Sequence, residues 1–190
     1  MFRHFVTLMA ITSLVTPIGA QAQDVMDRAV VHHPGADRWS IYGNGQAHSL
    51  VKDDAVPGGY AFTVNVASAG ANPWDVESGV VNDTMIHKDD VILMAFWARA
   101  VTPPAGADAI RVVALTQQVT APFTAIGTTD VVIGATWKLY YATGTATMDY
   151  DKGQAGAGLQ LATAQQTIAL GPVFMLDFGP GYDLAKLPKN

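Results

Sequence analysis

The sequence predicts an all-β protein, a two-sheet antiparallel β-sandwich made from one domain. Three observations carry this expectation. Val, Thr, Ala and Gly are abundant while Glu77 is the single Glu, so good helix-forming windows are lacking. Apolar segments recur at about ten-residue spacing with Gly, Pro, Asn and Asp between them, the pattern of a sandwich or barrel and not of βαβ units. The third is Asp89–Ala100, a two-Asp turn feeding an apolar run without Gly or Pro. A buried helix is equally apolar, but the turn-like flank and the Val/Thr-rich segment that follows favour a strand covered on both faces, central in its sheet. In strand geometry Ile92, Met94 and Phe96 share one face, and Leu93, Ala95, Trp97 and Arg99 the other. A mid-sheet guanidinium needs a carboxylate, a carbonyl or a ligand, because an unpaired charge in a dry site costs several kcal/mol, roughly.

The elements follow in order. Arg3 and His4 lead into the apolar segment Phe5–Ile18, which ends in Ala20-Gln21-Ala22. Residues 1–22 therefore read as a secretory signal peptide, too short for a membrane span, with a mature single domain over 23–190 that is secreted or periplasmic. Asp24–His33 fits a short helix or an edge strand. Arg38–Tyr42 and Ala47–Val51 flank Gly43-Asn44-Gly45, a hairpin signal. Tyr60–Ala67 alternates as a strand. Ser68–Pro73 is turn-like, and Trp74–Val81 is the next strand. After Asp89–Ala100, Thr102–Asp108 forms a loop and Ile110–Thr120 a strand. Ala121–Thr128 is irregular around Pro122. Thr129–Ile133 and Thr136–Thr143 are strands parted by Gly134. Tyr150–Gly158 is a Gly-rich loop, Gly158–Thr163 is short and extended, and Thr167–Phe178 closes the sheet.

Composition excludes several functions. Cys is absent, so neither disulfides nor a thiol nucleophile are available. Stability must come from a core, and a domain of this length buries enough surface for one. The net charge is −5 with 14% charged residues and no Lys/Arg cluster, which argues against nucleic acid and anionic membrane as partners. No G-x-S-x-G occurs, and the His residues are not spaced as metal ligands. Gly153–Gly158 superficially matches a nucleotide loop but lacks the closing Lys-Ser/Thr, so a flexible loop is the plainer reading. A glycosidase needs two carboxylates facing each other across a bond. Asp75 and Glu77 at i, i+2 line up side by side along one strand face, so no catalytic residue is expected.

Binding is better supported. Sugars need flat aromatic faces and planar hydrogen-bonding groups such as Arg, Gln and Glu. Trp97 with Arg99, Asp75 with Glu77, and Gln117 with Arg111 supply both on strand faces, and Trp74 fits a rim platform. Each has a structural alternative. Arg99 would also be satisfied by an ion pair with Glu77, and Trp74, Trp97 and Trp137 by packing.

Asn72-Pro73-Trp74-Asp75-Val76-Glu77, Lys88-x-Asp90-Val91 with Phe96-Trp97-Ala98-Arg99-Ala100, Trp137-Lys138-x-Tyr140, and Gln166-Thr167-Ile168-x-x-Gly171-Pro172-Val173 together resemble one group of sequences. These are the jelly-roll carbohydrate-binding modules of families four, nine and twenty-two, which are appended to xylanases and related glycanases. The likeness runs from about Trp39 to Leu187. It implies two antiparallel sheets, one concave and gripping a glycan. Trp74, Glu77, Trp97, Arg99 and Gln117 are the ligand-binding candidates, with Glu77 where Gln is the more familiar occupant. Such modules often hold a structural Ca²⁺ through an Asp of the last strand. This chain has Gly171-Pro172 there and Asp177 further on, so no metal or cofactor is expected. The modules normally precede a catalytic domain, whereas this chain ends at Asn190, which implies a solitary module. The resulting expectation is a secreted, non-catalytic binder of a xylan- or glucan-like polysaccharide. A structural or protein-interaction sandwich of the cell envelope, and a small hydrolase using Asp75 or Glu77, are the alternatives.

Overall fold

The computed structural model describes residues 27–31 and 34–190. The predicted signal peptide, its cleavage site and the mature start at Gln23 lie outside the described residues. Ten strands form two sheets: β1 (Ser40–Gly43), β2 (Gln46–Lys52), β3 (Tyr60–Val66), β4 (Val76–Val81), β5 (Asp90–Thr102), β6 (Ile110–Gln118), β7 (Ala125–Ile133), β8 (Lys138–Thr145), β9 (Ala155–Gln160) and β10 (Gln166–Pro180). One sheet has the order β1-β4-β9-β6-β7 and the other β2-β3-β10-β5-β8. All pairings are antiparallel. The architecture is the predicted all-β sandwich, with three short 3-10 turns among the described residues.

The two faces of β5 match the period-two reading. Ile92, Met94 and Phe96 point into the main core with Val64, Leu159 and Leu170. On its other face Val91 and Leu93 are also covered, by Ala29, Leu176 and Leu187 in a second cluster. That is why the run carries no alternation at its start. The strand is not central, however: β10 is, and β5 lies between β10 and β8.

Four other expectations are corrected. Gly43-Asn44-Gly45 does not close a hairpin, because β1 pairs with β4 and β2 with β3. The left-handed glycines (φ 106° and 74°) instead let the chain cross from one sheet to the other. Arg38, and Trp74 with Asp75, read as strand starts, belong instead to the 3-10 turns Ala36–Arg38 and Pro73–Asp75 before β1 and β4. In the second, Asp75 accepts from Asn72 N (3.0 Å) and Asn72 Nδ2 (3.4 Å), so its carboxylate caps a turn and does not share a face with Glu77. β7 begins at Ala125, inside the stretch read as irregular. Finally, the Gly-rich loop is half strand: Ala155–Gln160 is β9, the middle of its sheet. Ala155, Ala157 and Leu159 enter the core while Gly156 and Gly158 take the opposite face. The alternation is real, but its apolar members are mostly Ala, and Gly opposes strand propensity.

The sandwich is closed along the β7/β8 edge by backbone against backbone. A Cβ on Gly127 would collide with Thr143 O, and one on Gly144 with Ile126 O. Elsewhere a buried side chain ties loops together: Asn82 donates to Thr84 O (2.7 Å) and Asp151 O (2.9 Å) and accepts from Gly153 N and Ala155 N (both 3.0 Å). This fixes the start of β9. Gly127→Ala and Gly144→Ala should each lower unfolding free energy by about 1–3 kcal/mol, through forced separation of the strands. Gly134→Ala, with open space around it, should leave stability unchanged or raise it by about 0.5 kcal/mol. Urea unfolding midpoints check both.

Candidate functional site

The outer face of the β1-β4-β9-β6-β7 sheet forms a groove of about 840 Å³. Its floor follows from strand register. In one cross-strand row Tyr42 lies opposite Glu77, Glu77 opposite Gln160, and Gln160 opposite Val113. In the next, Ser40, Gly79, Gly158 and Leu115 stand side by side, and in the third Val81, Gly156 and Gln117. Three glycines therefore occupy the middle of the sheet where side chains would otherwise rise. The N–H and C=O groups of this floor are consumed by the ladder; Gly79 is partly open, while Gly156 and Gly158 are buried beside the Val119 and Glu77 side chains.

The polar groups stand on the walls. Glu77 is buried, with 8% of its surface exposed, and its Oε1 accepts from Tyr42 Oη at 2.7 Å. The same oxygen lies 3.1 Å from where a Gly158 Cβ would sit, so the carboxylate leans over the glycine floor. Burial raises the Glu77 carboxyl above its ordinary value, and the Tyr42 hydroxyl only partly offsets this. The Tyr42 hydroxyl is in turn harder to ionise, through burial first and its bond to Glu77 second. Three aromatics border the groove with half or more of their surface exposed: Tyr42, Trp74 and Phe123. Asp37 and Arg38, in the turn before β1, add charge at that margin.

Of the five residues singled out in the sequence, the structure brings Trp74, Glu77 and Gln117 to this groove. Trp97 and Arg99 are not there, because β5 belongs to the opposite sheet. The Arg99 partner is Asp53, not Glu77 (Nη2 to Oδ2, 3.4 Å), and the guanidinium stacks over Trp137 at 5.4 Å. Asp53 also accepts from Ala55 N (3.0 Å) and Trp137 Nε1 (3.2 Å). These contacts, led by the Ala55 N–H, hold its carboxyl below the ordinary value. A Cβ on Gly171 would meet Val56 and Trp97, so the loop after β2 folds down onto this face. Arg99, Trp97 and Trp137 thus fasten a loop. Tyr42, Gln160, Phe123 and the glycine floor were not identified from the sequence. The legible signal was the Ala-Gly-Ala-Gly-Leu-Gln alternation, which places Gln160 on the face of Gly156 and Gly158.

Comparison with known proteins gives neither a matching family model nor a matching curated protein. Solved structures do match. One is a family 4 carbohydrate-binding module, at TM-score 0.54 and 17% identity, covering 74% of this chain and 95% of that one. Another is the CBM22-1 xylan-binding domain of Paenibacillus barcinonensis Xyn10C, at TM-score 0.51 and 11% identity, covering 80% and 94%. The likeness is one of fold. The chain has the jelly-roll architecture of these modules. The same architecture carries a Stig cyclase, Fisc from Fischerella sp. TAU, solved with (3Z)-3-(1-methyl-2-pyrrolidinylidene)-3H-indole, at TM-score 0.53 and 11% identity, covering 75% and 86%. Function has to be argued from the groove, not from the fold.

No group of three or more His, Asp or Glu among the described residues is placed to hold a metal. At Gly171-Pro172 the last strand offers backbone only: Gly171 O accepts from Trp39 Nε1 at 2.8 Å. The residues present there do not fit a calcium site. Further along, Asp177 lies beside buried Asp90, whose Oδ2 accepts from His87 N. Burial, with Asp90 adding to it, outweighs the Gly179 N–H and raises the Asp177 carboxyl to about 6. The folded chain therefore holds this proton over a pH range in which the unfolded chain has released it. Stability supplied by the protonated pair is complete below pH about 4 and is lost as pH rises through about 6. Asp177→Asn, whose amide still donates toward Asp90, should melt with the parent at pH 4. By pH 7.5 it should be more stable by about 1–2 kcal/mol, or roughly 2–8 °C in melting temperature, the carboxyl being partly solvated.

Proposed function

We propose that the groove binds a polysaccharide of the xylan or glucan type and does not cleave it. The observation that carries this is the glycine floor between hydrogen-bonding walls and exposed aromatics. A sugar ring lies flat on bare peptide, its hydroxyls reach Glu77, Gln160 and Gln117, and Trp74 or Tyr42 covers the other face. A bulkier floor would admit none of this. The shared fold with a xylan-binding domain supports the reading.

Cleavage would need a second carboxylate facing Glu77 across the bond. Asp37, the other carboxylate lining the groove, stands on the 3-10 turn before β1 and not on the strand faces that form the floor. Asp75 is occupied as a turn cap. The chain acts outside the cytoplasm after loss of residues 1–22, holding a glycan in the groove. Hydroxyl desolvation offsets much of each hydrogen bond, so affinity falls at about micromolar to millimolar.

Calorimetry with soluble xylan and mixed-linkage β-glucan tests this. Glu77→Ala and Gln117→Ala should each weaken binding about tenfold, the loss of one or two hydrogen bonds. Gly79→Val should abolish it while folding normally: a Cβ there meets nothing closer than Ala157 O and Tyr42 Oη at 3.6 Å, yet the side chain fills the trough. Arg99→Ala should bind as the parent does. Binding that survives Gly79→Val, or is lost in Arg99→Ala, would move the site elsewhere.

A further inference from the structure

The groove has two unlike ends. At one, Tyr42, Glu77 and Gln160 stand in register, and Tyr42 Oη donates to Glu77 Oε1 at 2.7 Å. At the other, the outer face of Gly156 is covered by Val119, whose Cγ1 lies 3.0 Å from where a Cβ would sit. Val81 and Phe123 flank it with 50% and 55% of their surfaces exposed, and Gln117 shares the row of Val81 and Gly156. None of Val81, Phe123 and Val119 belongs to a core cluster.

Phe123 is held there against its own backbone preference. Its φ of 57° is in the left-handed region, uncommon and costly for a bulky residue. The conformation persists because the turn is pinned from several sides. Phe123 N donates to Thr120 O (2.8 Å), Gln118 N to Thr124 O (2.9 Å), and Val119 N to Gln154 O (3.0 Å). An exposed aromatic with no packing role, fixed in a strained turn over a groove, is a surface prepared for a ring.

We propose that this end is a subsite for a planar aryl group carried by the glycan, as an ester or a glycoside, with Phe123 stacking on the ring and Val81 and Val119 lining the slot. The proposal rests on the polysaccharide reading of the same groove. Spacing agrees with it: Glu77 and Val81 are four residues apart on β4, roughly 13 Å along the strand, the reach of an aryl group on a disaccharide. The ligand is then amphipathic, with hydroxyls at the Glu77 end and the ring at the Phe123 end.

Calorimetry decides it, using 4-nitrophenyl β-xylobioside and 4-nitrophenyl β-cellobioside against xylotriose and cellotriose, with free 4-nitrophenol as a third arm. The aryl glycosides should bind roughly tenfold more tightly than the trisaccharides. Phe123→Ala and Phe123→Gly should abolish the aryl preference, weakening the aryl glycosides roughly tenfold more than the trisaccharides. Phe123→Gly relieves the left-handed backbone, so an unchanged or raised melting temperature shows that the loss is not misfolding. Equal affinity of both ligand types overturns the subsite and leaves the polysaccharide reading standing. A preference that survives Phe123→Gly, or free 4-nitrophenol bound as tightly as its glycosides, also overturns it. If no saccharide of either kind binds, both readings fall together.

Discussion

The site depends on one constraint: β9 must fill the core with one face and vanish from the other. Ala155, Ala157 and Leu159 are buried in the main cluster, while Gly156 and Gly158 put no side chain on the opposite face and leave room there for Val119 and Glu77. Small residues on the inner face suit the middle of a sheet packed against β10 and β5, where Phe96, Leu170 and Val173 already supply bulk. Glycine in a strand interior costs roughly 0.5–1 kcal/mol relative to Ala. Two of them in a central strand are tolerated because both neighbours, β4 and β6, lock the backbone in place. The concavity is thus produced by missing side chains, not by curvature alone.

The second organising feature is where charge is allowed to sit. Glu77 is the most buried carboxylate of the groove and accepts from the Tyr42 phenol. Arg99 shows the opposite arrangement. Its guanidinium is matched by Asp53 and the Trp137 ring, and the cluster fixes the loop after β2 across the far sheet. Both are polar groups in mid-sheet. Arg99 is completed by a carboxylate and an aromatic ring, Glu77 by one phenol, and the proposed ligand would take up the rest of its capacity.

Much of the fold was legible in the sequence, because the long strands have cores of β-branched and aromatic residues whose alternation survives in β3, β5 and β6. What was illegible has physical reasons. A tight glycine turn has the same local chemistry whether it joins neighbours in one sheet or crosses between two, so Gly43–Gly45 could not reveal its role. The Ala/Gly alternation of β9 is weak on any propensity scale and becomes a strand only because its neighbours pair with it. Trp74, Glu77 and Gln117 could be placed on strand or turn faces, but which faces meet is set by sheet order, which lies in long-range pairing. Trp97 and Arg99 were read with them because residues of suitable chemistry on separate strands carry no label of which sheet they join.

The bare floor also governs the behaviour of water. Its amides are tied into the ladder and only Gly79 of the three glycines is partly open, so the floor offers water few groups to bind and the polar side chains beside it offer more. On the proposed reading, a flat ring settling there would displace weakly bound water in exchange for close dispersion contact. Association of that kind is enthalpy-driven near room temperature and carries a negative heat-capacity change. Calorimetric heat, more than buried area, therefore reports how fully a ligand rests on the peptide plane.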